Sequence, residues 1–134
     1  MPQDPLNYSL GLVDITALKE HEEIDEQHLS QLTEKIRSDG FLKDPIIVDK
    51  NTNIILDGHH RFNSLRRIGC KRIYACFVDY KSPRIRVCSR RKERVTKELV
   101  INAGLSGNKL KTKTSKHLIP HRPKNILIKL ENLR

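Results

Sequence analysis

One feature restricts the fold of this chain more than any other. It is a pair of short apolar segments, the second of which leads directly into a helix. Residues 45–49 are apolar and rich in β-branched side chains, residues 50–53 are polar, and residues 54–57 are apolar again. This pattern predicts a β-hairpin with a buried first strand. A helix must begin near residue 59 or 60 and continue to Ile68, with Gly69 as its C-terminal stop.

The other elements of the first 88 residues follow from similar patterns. Residues 12–15 predict a strand, and residues 25–38 predict a helix with Asp25 as its N-cap and Gly40 at its end. Residues 72–78 predict a further strand and residues 84–88 a short extended piece. Short strands that alternate with helices indicate an α+β fold, a small mixed sheet flanked by helices.

The C-terminal part of the chain is basic and less regular. Ser89 is expected to cap a basic amphipathic helix that carries Val95, Leu99 and Ala103 and ends at Gly104. Residues 105–125 are polar and rich in lysine, and residues 126–128 predict an edge strand. At 134 residues the chain has the length of one domain. We therefore expect a core over residues 1–88 and a basic extension over residues 89–134 that packs on it.

Charge is distributed unevenly along the chain, whose net charge is +10. Residues 1–80 hold 10 Lys and Arg against 13 Asp and Glu, whereas residues 81–134 hold 16 against 3. Such a basic segment beside a slightly acidic one indicates an anionic partner, either a nucleic acid or a small phosphorylated ligand.

Several classes of protein are not expected from the composition. No apolar stretch approaches the roughly 20 residues that a membrane span needs, and the N-terminal residues do not resemble a signal peptide. We therefore expect a soluble, cytoplasmic protein without a membrane partner. The three cysteines (Cys70, Cys76 and Cys88) are odd in number and lack Cys-x-x-Cys spacing, so we expect reduced core thiols rather than a disulfide framework or a zinc site.

The strongest chemical signal lies where the second hairpin strand meets the helix. The strand ends on Asp57, Gly58 makes the turn, and His59, His60 and Arg61 open the helix. Free N–H groups in the first turn and the positive end of the helix dipole make such a junction a ready phosphate site. A glycine allows close approach of a phosphoryl group, an arginine can bind it in bidentate fashion, and Asp57 could ligate Mg²⁺.

The same junction has two alternative interpretations. It could be a hairpin-to-helix turn capped by Asp57, with two solvated histidines. A zinc site on His59 and His60 is disfavoured, because adjacent histidines on a helix do not face one metal.

These residues carry a resemblance to a known family. The run Asp57-Gly58-His59-His60-Arg61, followed by Leu65-Arg66-Arg67-Ile68-Gly69, resembles the signature of the ParB/sulfiredoxin superfamily, and within it the free L-serine kinases of archaea and bacteria. Three further segments agree, at residues 18–22, at residues 41–46 and in the helix between them. The resemblance covers residues 10–80, and more weakly residues 112–117.

Two departures separate this chain from other branches of the superfamily. Sulfiredoxins have a catalytic cysteine where this sequence has His59, so reduction of sulfinic acids is not expected. ParB partition proteins follow this domain with a long helix-turn-helix, and residues 81–134 show no clear second recognition helix.

The resemblance implies a kinase that phosphorylates free L-serine to O-phospho-L-serine, with Mg²⁺ and with ATP or, less favoured, ADP as donor. The product would supply cysteine synthesis. The match of residues 18–22 to a Leu-x-x-His-Glu pattern implies that Glu22 is the general base. Catalysis is assigned to Glu22, Asp57 and His60, and Mg²⁺ binding to Asp57. Nucleotide and phosphate binding is assigned to Lys43, Gly58, His59, His60 and Arg61. Serine binding is assigned to Glu26, Thr114, Lys116 and His117.

Other interpretations of these segments stay open at this point. The acidic loop around Glu22 could be a solvated cap for the next helix, and the basic extension could be a solvated cationic surface. The competing function is a non-enzymatic, ParB-like DNA-binding transcriptional regulator, which the basic half would support. Sequence-specific nucleic acid binding is not expected, because charge alone accounts for salt-sensitive, non-specific binding.

Overall fold

A computed structural model describes residues 8–134 of the chain. Its centre is a mixed sheet of four strands, β1 (Ser9–Asp14), β3 (Ile46–Asp49), β4 (Ile55–Asp57) and β5 (Arg72–Val78). Their order is β1-β5-β3-β4, in which β3 and β5 are parallel and the other pairs antiparallel. The predicted α+β fold is confirmed.

Two helices on this sheet begin and end where the sequence predicts. The first is α1 (Glu26–Asp39), whose N-cap Asp25 accepts a hydrogen bond from the Gln27 N–H through its side chain. The second is α2 (His59–Ile68), which ends at Gly69. Gly40 and Gly69 both adopt the left-handed conformation at these C-termini. Local capping chemistry therefore fixes the limits of both helices.

Two smaller sheets join distant parts of the chain. In one, β2 (Phe41–Lys43) pairs with β8 (Leu127–Lys129), and in the other β6 (Arg86–Ser89) pairs with β7 (Ser115–Leu118). The sequence predicts β8 as an edge strand and an extended piece near β6, but it predicts neither β2 nor β7. The expected boundary at residue 88 falls inside β6.

The prediction for the third helix is wrong in its limits. The helix α3 spans Lys97–Ser106, is capped by Thr96 and ends at Gly107. The Thr96 hydroxyl accepts the Leu99 N–H, so Thr96 has the N-cap role that was expected of Ser89. Ser89 instead ends β6, and Gly104 lies inside the helix, where it packs against Ile54. A side chain at residue 104 would collide with Ile54, so close packing explains this glycine.

The C-terminal residues complete both apolar cores of the domain. One face of the sheet packs against α1 and α2 and receives Ile128, Leu130 and Leu133. The other face packs against Val95, Val100 and Ile119 from the basic extension. Burial of these side chains is the main force that holds the extension on the sheet.

Two predictions about the surface can be compared with the structure. Cys70 and Cys76 are buried, but Cys88 is exposed on β6, so the expectation of three core thiols is wrong for Cys88. Across residues 8–134, no helix is both long enough and apolar enough to cross a membrane.

Candidate active site

The predicted phosphate junction and the acidic loop open into one cleft of about 380 Å³. It lies where the end of β4, the start of α2, the first loop and the start of β7 converge. Six of the residues singled out from the sequence line this cleft, namely Glu22, Asp57, Gly58, His59, His60 and Arg61. Residues that are 35 or more positions apart in the sequence thus share one surface.

Gly58 turns the chain from β4 into α2. Its φ of 108° is left-handed, and a Cβ atom there would lie 2.5 Å from Ile46 Cγ2. Both the backbone conformation and the close approach of Ile46 therefore favour glycine at this turn. The first helical hydrogen bond joins the Phe62 N–H to the Gly58 carbonyl, so the earlier amides of α2 have no acceptor within the helix. The residues that carry these amides line the cleft.

Two arginines share one oxygen of the Asp57 carboxylate. Arg122 donates to Oδ2 at 2.6 Å, and an Arg61 nitrogen lies 3.5 Å from the same atom. Burial alone would raise the pKa of the Asp57 carboxyl, but the Arg122 hydrogen bond and the charges of both arginines outweigh it and lower that pKa. Asp57 is therefore held ionised beside the first turn of α2.

Arg61 has a structural role in addition to its place in the cleft. Its Nη1 donates to the carbonyls of Asp44 and Pro45 at 2.9 and 3.2 Å. The guanidinium thereby fixes the segment before β3. Only its remaining N–H donors are left for a ligand.

The two histidines of the junction are neutral hydrogen-bond acceptors. His59 is buried, and its Nε2 accepts the His21 N–H at 3.2 Å. His60 Nε2 accepts the Asp25 N–H at 2.9 Å, and its ring stacks on His28 with centroids 4.2 Å apart. Burial is the largest cause that lowers the pKa of both imidazoles, and neighbouring histidines lower it further. The interpretation of these two residues as solvated side chains is therefore wrong.

Glu22 is held by the segment that leads into β7. Its Oε1 accepts the Lys113 N–H at 2.7 Å, and its Oε2 accepts the N–H and the hydroxyl of Ser115 at 3.2 and 2.7 Å. The side chain is 13% exposed and lines the cleft. Leu110 pairs with the loop on both sides of Glu22, through the His21 carbonyl and the Glu23 N–H. The loop is therefore an ordered wall of the cleft, and the interpretation as a freely solvated loop is wrong.

The structure does not bring two other predicted side chains into the cleft lining. Glu26 is exposed and forms an ion pair with Arg67 at 2.7 Å, because both project from the outer surface of their helices. Lys43 is exposed at the end of β2.

The predicted residues of β7 divide according to strand alternation. Ser115 and His117 point inward, whereas Lys116 is exposed on the opposite face. His117 lies behind the cleft, where its Nε2 is 2.7 Å from the Tyr80 hydroxyl, and burial lowers its pKa to about 3. Thr114 is buried and donates its hydroxyl to the Lys111 carbonyl. None of the three predicted residues Thr114, Lys116 and His117 is part of the cleft lining.

Several residues of the site were not assigned from the sequence. Ser115, Lys113, Arg90 and His28 line the cleft, and Arg122 reaches it through Asp57. Ser115 lies within the segment 112–117 that carries the weaker resemblance, so recognition of β7 as a strand would have identified it. Arg122 has no local signal, because its partner lies 65 residues earlier in the chain.

Comparisons with known proteins agree with this fold. No protein-family model matches the chain. It is 38% identical over 81 residues to a ParB-like protein of Sulfolobus acidocaldarius, a match that covers 60% of this chain and 40% of that protein. It is 41% identical over 73 residues to an ATP-dependent L-serine kinase of Staphylothermus marinus, which covers 52% of this chain and 29% of the kinase. The chain thus matches less than half the length of these curated relatives.

A solved structure extends the comparison to nearly the whole chain. A free serine kinase in complex with AMP superposes with a TM-score of 0.86 and 17% identity, over 99% of this chain and 96% of that one. The chain therefore has the fold of that kinase, including the basic extension. The chain is thus similar in sequence to an L-serine kinase and to a ParB-like protein, and it shares the fold of a free serine kinase.

Proposed function

We propose that this protein is a kinase that transfers a phosphoryl group from a nucleotide to the hydroxyl of free L-serine. The observation that carries the proposal is that Glu22 faces the same cleft as the first turn of α2. A carboxylate that can take a proton and a cradle that can hold phosphate are the two parts that such a transfer needs. The L-serine kinases among the sequence relatives support the choice of acceptor.

The first turn of α2 would hold the phosphates of the donor. Its free amides and the helix dipole favour an anion, and the cleft also presents Arg61, Arg90 and Lys113. His60 lies at this turn, where its neutral imidazole can stabilise the transferred group by a hydrogen bond. Relatives named for ATP at 41% and 31% identity favour ATP as donor over ADP.

Glu22 retains capacity to accept one more hydrogen bond. An ionised carboxylate has about four lone-pair positions, and three are taken by Lys113 and Ser115. The remaining position can accept the serine hydroxyl. The three fixed donors hold the carboxylate in one orientation, as a general base requires. Arg90 and Lys113 also line this cleft and can pair with the serine carboxylate.

Mg²⁺ is compatible with the residues present. Both arginine contacts of Asp57 go to Oδ2, so Oδ1 is the oxygen that could ligate a cation. No cluster of three His, Cys, Asp or Glu side chains in residues 8–134 could hold a metal alone. Mg²⁺ commonly needs only one or two carboxylates together with substrate phosphates. When bound, it would neutralise charge on the transferring phosphoryl group.

The proposed reaction is a direct displacement at the terminal phosphorus of the donor. The serine hydroxyl proton passes to Glu22 as the serine oxygen forms its bond to the terminal phosphorus of the donor. The bond from that phosphorus to the bridging oxygen breaks, and its electron pair stays on the departing nucleotide. Glu22 then releases the proton to solvent through the open cleft.

A DNA-binding regulator is the second candidate, which the ParB-like relative and the basic extension favour. A helix-turn-helix needs two adjacent helices. From residue 79 to the end of the described chain, α3 is the only helix of more than one turn. We therefore expect only non-specific DNA binding that salt abolishes. A gel shift at 50 and 200 mM salt, with specific and scrambled duplexes, separates the two roles.

The kinase itself is tested by product analysis. The protein is incubated with L-serine, Mg²⁺ and either ATP or ADP, and O-phosphoserine is measured by mass spectrometry. The variant Glu22→Gln is the matched negative control.

A further inference from the structure

The Ser115 hydroxyl lies between two acceptors. Its Oγ is 2.7 Å from Glu22 Oε2 and 3.1 Å from His21 Nε2. The other nitrogen of His21, Nδ1, is 2.7 Å from the Ile55 carbonyl oxygen. Because a carbonyl only accepts, Nδ1 must carry the hydrogen, and Nε2 of the neutral ring is an acceptor.

Ser115 therefore has one hydrogen to donate and two neighbours that can accept it. While Glu22 is ionised, donation to Glu22 is preferred, since hydrogen bonds to a charged acceptor are stronger. A proton taken from the substrate enters at the open position on Glu22 Oε1, and it can exchange to Oε2 through the open cleft. On Oε2 it can be donated to Ser115 Oγ. The Ser115 hydroxyl hydrogen can then rotate toward His21 Nε2, so Glu22, Ser115 and His21 each keep a hydrogen-bond partner.

His21 is fixed in the position that this exchange needs. Its side chain is fully buried, and its backbone N–H is held by His59. Its ring packs edge-on against His59 and His117, with centroids 4.6 and 5.7 Å apart. The burial that lowers the pKa of His21 keeps its ring neutral and able to accept.

We propose that Ser115 and His21 are positioning residues that let Glu22 change from hydrogen-bond acceptor to donor when it takes the substrate proton. The proposal rests on the role of Glu22 in the proposed function. Neither residue needs to touch the substrate, because both act through the Glu22 carboxylate.

Other charged or titratable groups line the same cleft as Glu22 and also influence its pH dependence. They come from the two helices, the end of β4 and the extension. These groups are His28, Asp57, His59, His60, Arg90 and Lys113.

The experiment uses three test variants and one control. Ser115→Ala removes the hydroxyl but leaves the backbone bond to Glu22, and Ser115→Thr restores a hydroxyl. His21→Asn keeps an N–H for the Ile55 carbonyl and removes Nε2. The control is Ser30→Ala, because Ser30 also donates to a glutamate, Glu26 at 3.2 Å, but on the outer surface of α1. Thermal melting confirms that each variant is folded before kinetics are measured.

The kinetic result expected is a loss in turnover without a loss in affinity. Ser115→Ala and His21→Asn should each lower kcat by about 10-fold or more with KM nearly unchanged, and Ser115→Thr should recover most of it. In the Glu22→Gln background, neither substitution should reduce activity further, because both residues act through Glu22. Equal losses in both backgrounds, or a loss in Ser30→Ala of the same size, would overturn the proposal.

A titration separates this proposal from the proposed function. The Glu22 carboxyl is followed by ¹³C NMR against pH without any substrate. Ser115→Ala should move the midpoint up, because the ionised form loses a donor, and His21→Asn should move it down, because the protonated form loses its acceptor chain. Shifts of about half a pH unit or more in opposite directions support the proposal even if no phosphoserine forms. Shifts in the same direction, or none, contradict it even in an active kinase.

Discussion

Glu22 and Ser115 are 93 positions apart in the sequence, yet Ser115 donates both its N–H and its hydroxyl to one oxygen of the Glu22 carboxylate. This contact joins the acidic loop before α1 to the start of β7. The basic extension thus supplies the groups that orient the proposed base. A protein that lacks residues 110–118 should lose this wall of the cleft, whatever remains of the central sheet.

The first prediction concerns the proposed base. Glu22→Gln keeps the size of the side chain but cannot accept a proton, so phosphoserine formation should fall by about 100-fold or more. Nucleotide affinity, measured by calorimetry, should stay within about 3-fold, because the phosphate cradle is on α2. The matched control is Glu23→Gln, an exposed neighbour outside the cleft lining. A collapse of nucleotide affinity in Glu22→Gln would show that Glu22 belongs to the nucleotide site instead.

The second prediction concerns Asp57 and Mg²⁺. Asp57→Asn replaces a carboxylate by an amide, which is a poorer ligand for a hard cation. The Mg²⁺ concentration for half-maximal activity should rise by about 10-fold or more, while Asp14→Asn, an exposed change at the end of β1, should leave it unchanged. An unchanged Mg²⁺ titration in Asp57→Asn would mean that Asp57 serves only to pair with Arg122 and Arg61.

The third prediction separates two reasons for a glycine at position 58. Gly58 and Gly107 both have left-handed φ values, but only at Gly58 would a Cβ atom collide with a neighbour, Ile46. Gly107→Ala should lower the free energy of unfolding by about 1 kcal/mol, from the backbone conformation alone. Gly58→Ala should lower it by about 2–4 kcal/mol, since overpacking adds to that strain.

Urea unfolding of both variants measures the difference. Equal losses would show that Ile46 moves aside, and the demand for glycine would then be attributed to the backbone conformation alone. Nucleotide binding by the folded fraction of Gly58→Ala gives a separate test of the phosphate cradle.

The fourth prediction is a loss of stability in mild acid. Burial lowers the pKa of His117 to about 3, whereas an exposed histidine in the unfolded chain titrates near 6.5. Below pH 6.5 the unfolded state therefore binds a proton that the folded state refuses, and the free energy of unfolding falls with pH. His117 alone should contribute a loss of about 2 kcal/mol between pH 7.5 and pH 5. His21 and His59, whose pKa values are also lowered by burial, act in the same direction.

The variant His117→Gln isolates this contribution. It should show a fall in unfolding free energy between pH 7.5 and pH 5 that is smaller than that of the wild type by about 2 kcal/mol. The control His121→Gln changes an exposed histidine and should fall as much as the wild type. An equal fall in wild type and His117→Gln would contradict a neutral, buried His117.

Local sequence signals predicted the elements that local chemistry determines. Asp25, Gly40 and Gly69 mark helix ends by hydrogen bonds and backbone conformations within a few residues, and the structure agrees with each of them. The start of α3 was missed because Ser89 and Thr96 are both good caps. Only the tertiary pairing of β6 with β7, which takes Ser89 into a strand, decides between them.

The candidate site was predicted only where its residues are close together in the sequence. Asp57 to Arg61 are contiguous, so their convergence on one helix start could be predicted from spacing. The contacts from Arg122 to Asp57 and from Ser115 to Glu22 depend on how the extension folds back. Nothing near Arg122 in the sequence indicates that partner. Lys116 was misplaced because its position on β7 was not known, and strand alternation turns it away from the cleft.

The most direct test of the account is formation of O-phospho-L-serine from L-serine, Mg²⁺ and a nucleotide by the purified protein. Phosphorus NMR follows the product, with ATP and ADP in separate reactions and with Glu22→Gln and Glu23→Gln alongside. We predict a phosphoserine signal with ATP that Glu23→Gln retains and Glu22→Gln loses. If neither nucleotide gives phosphoserine, or if Glu22→Gln forms it at the rate of the wild type, the proposed function is wrong.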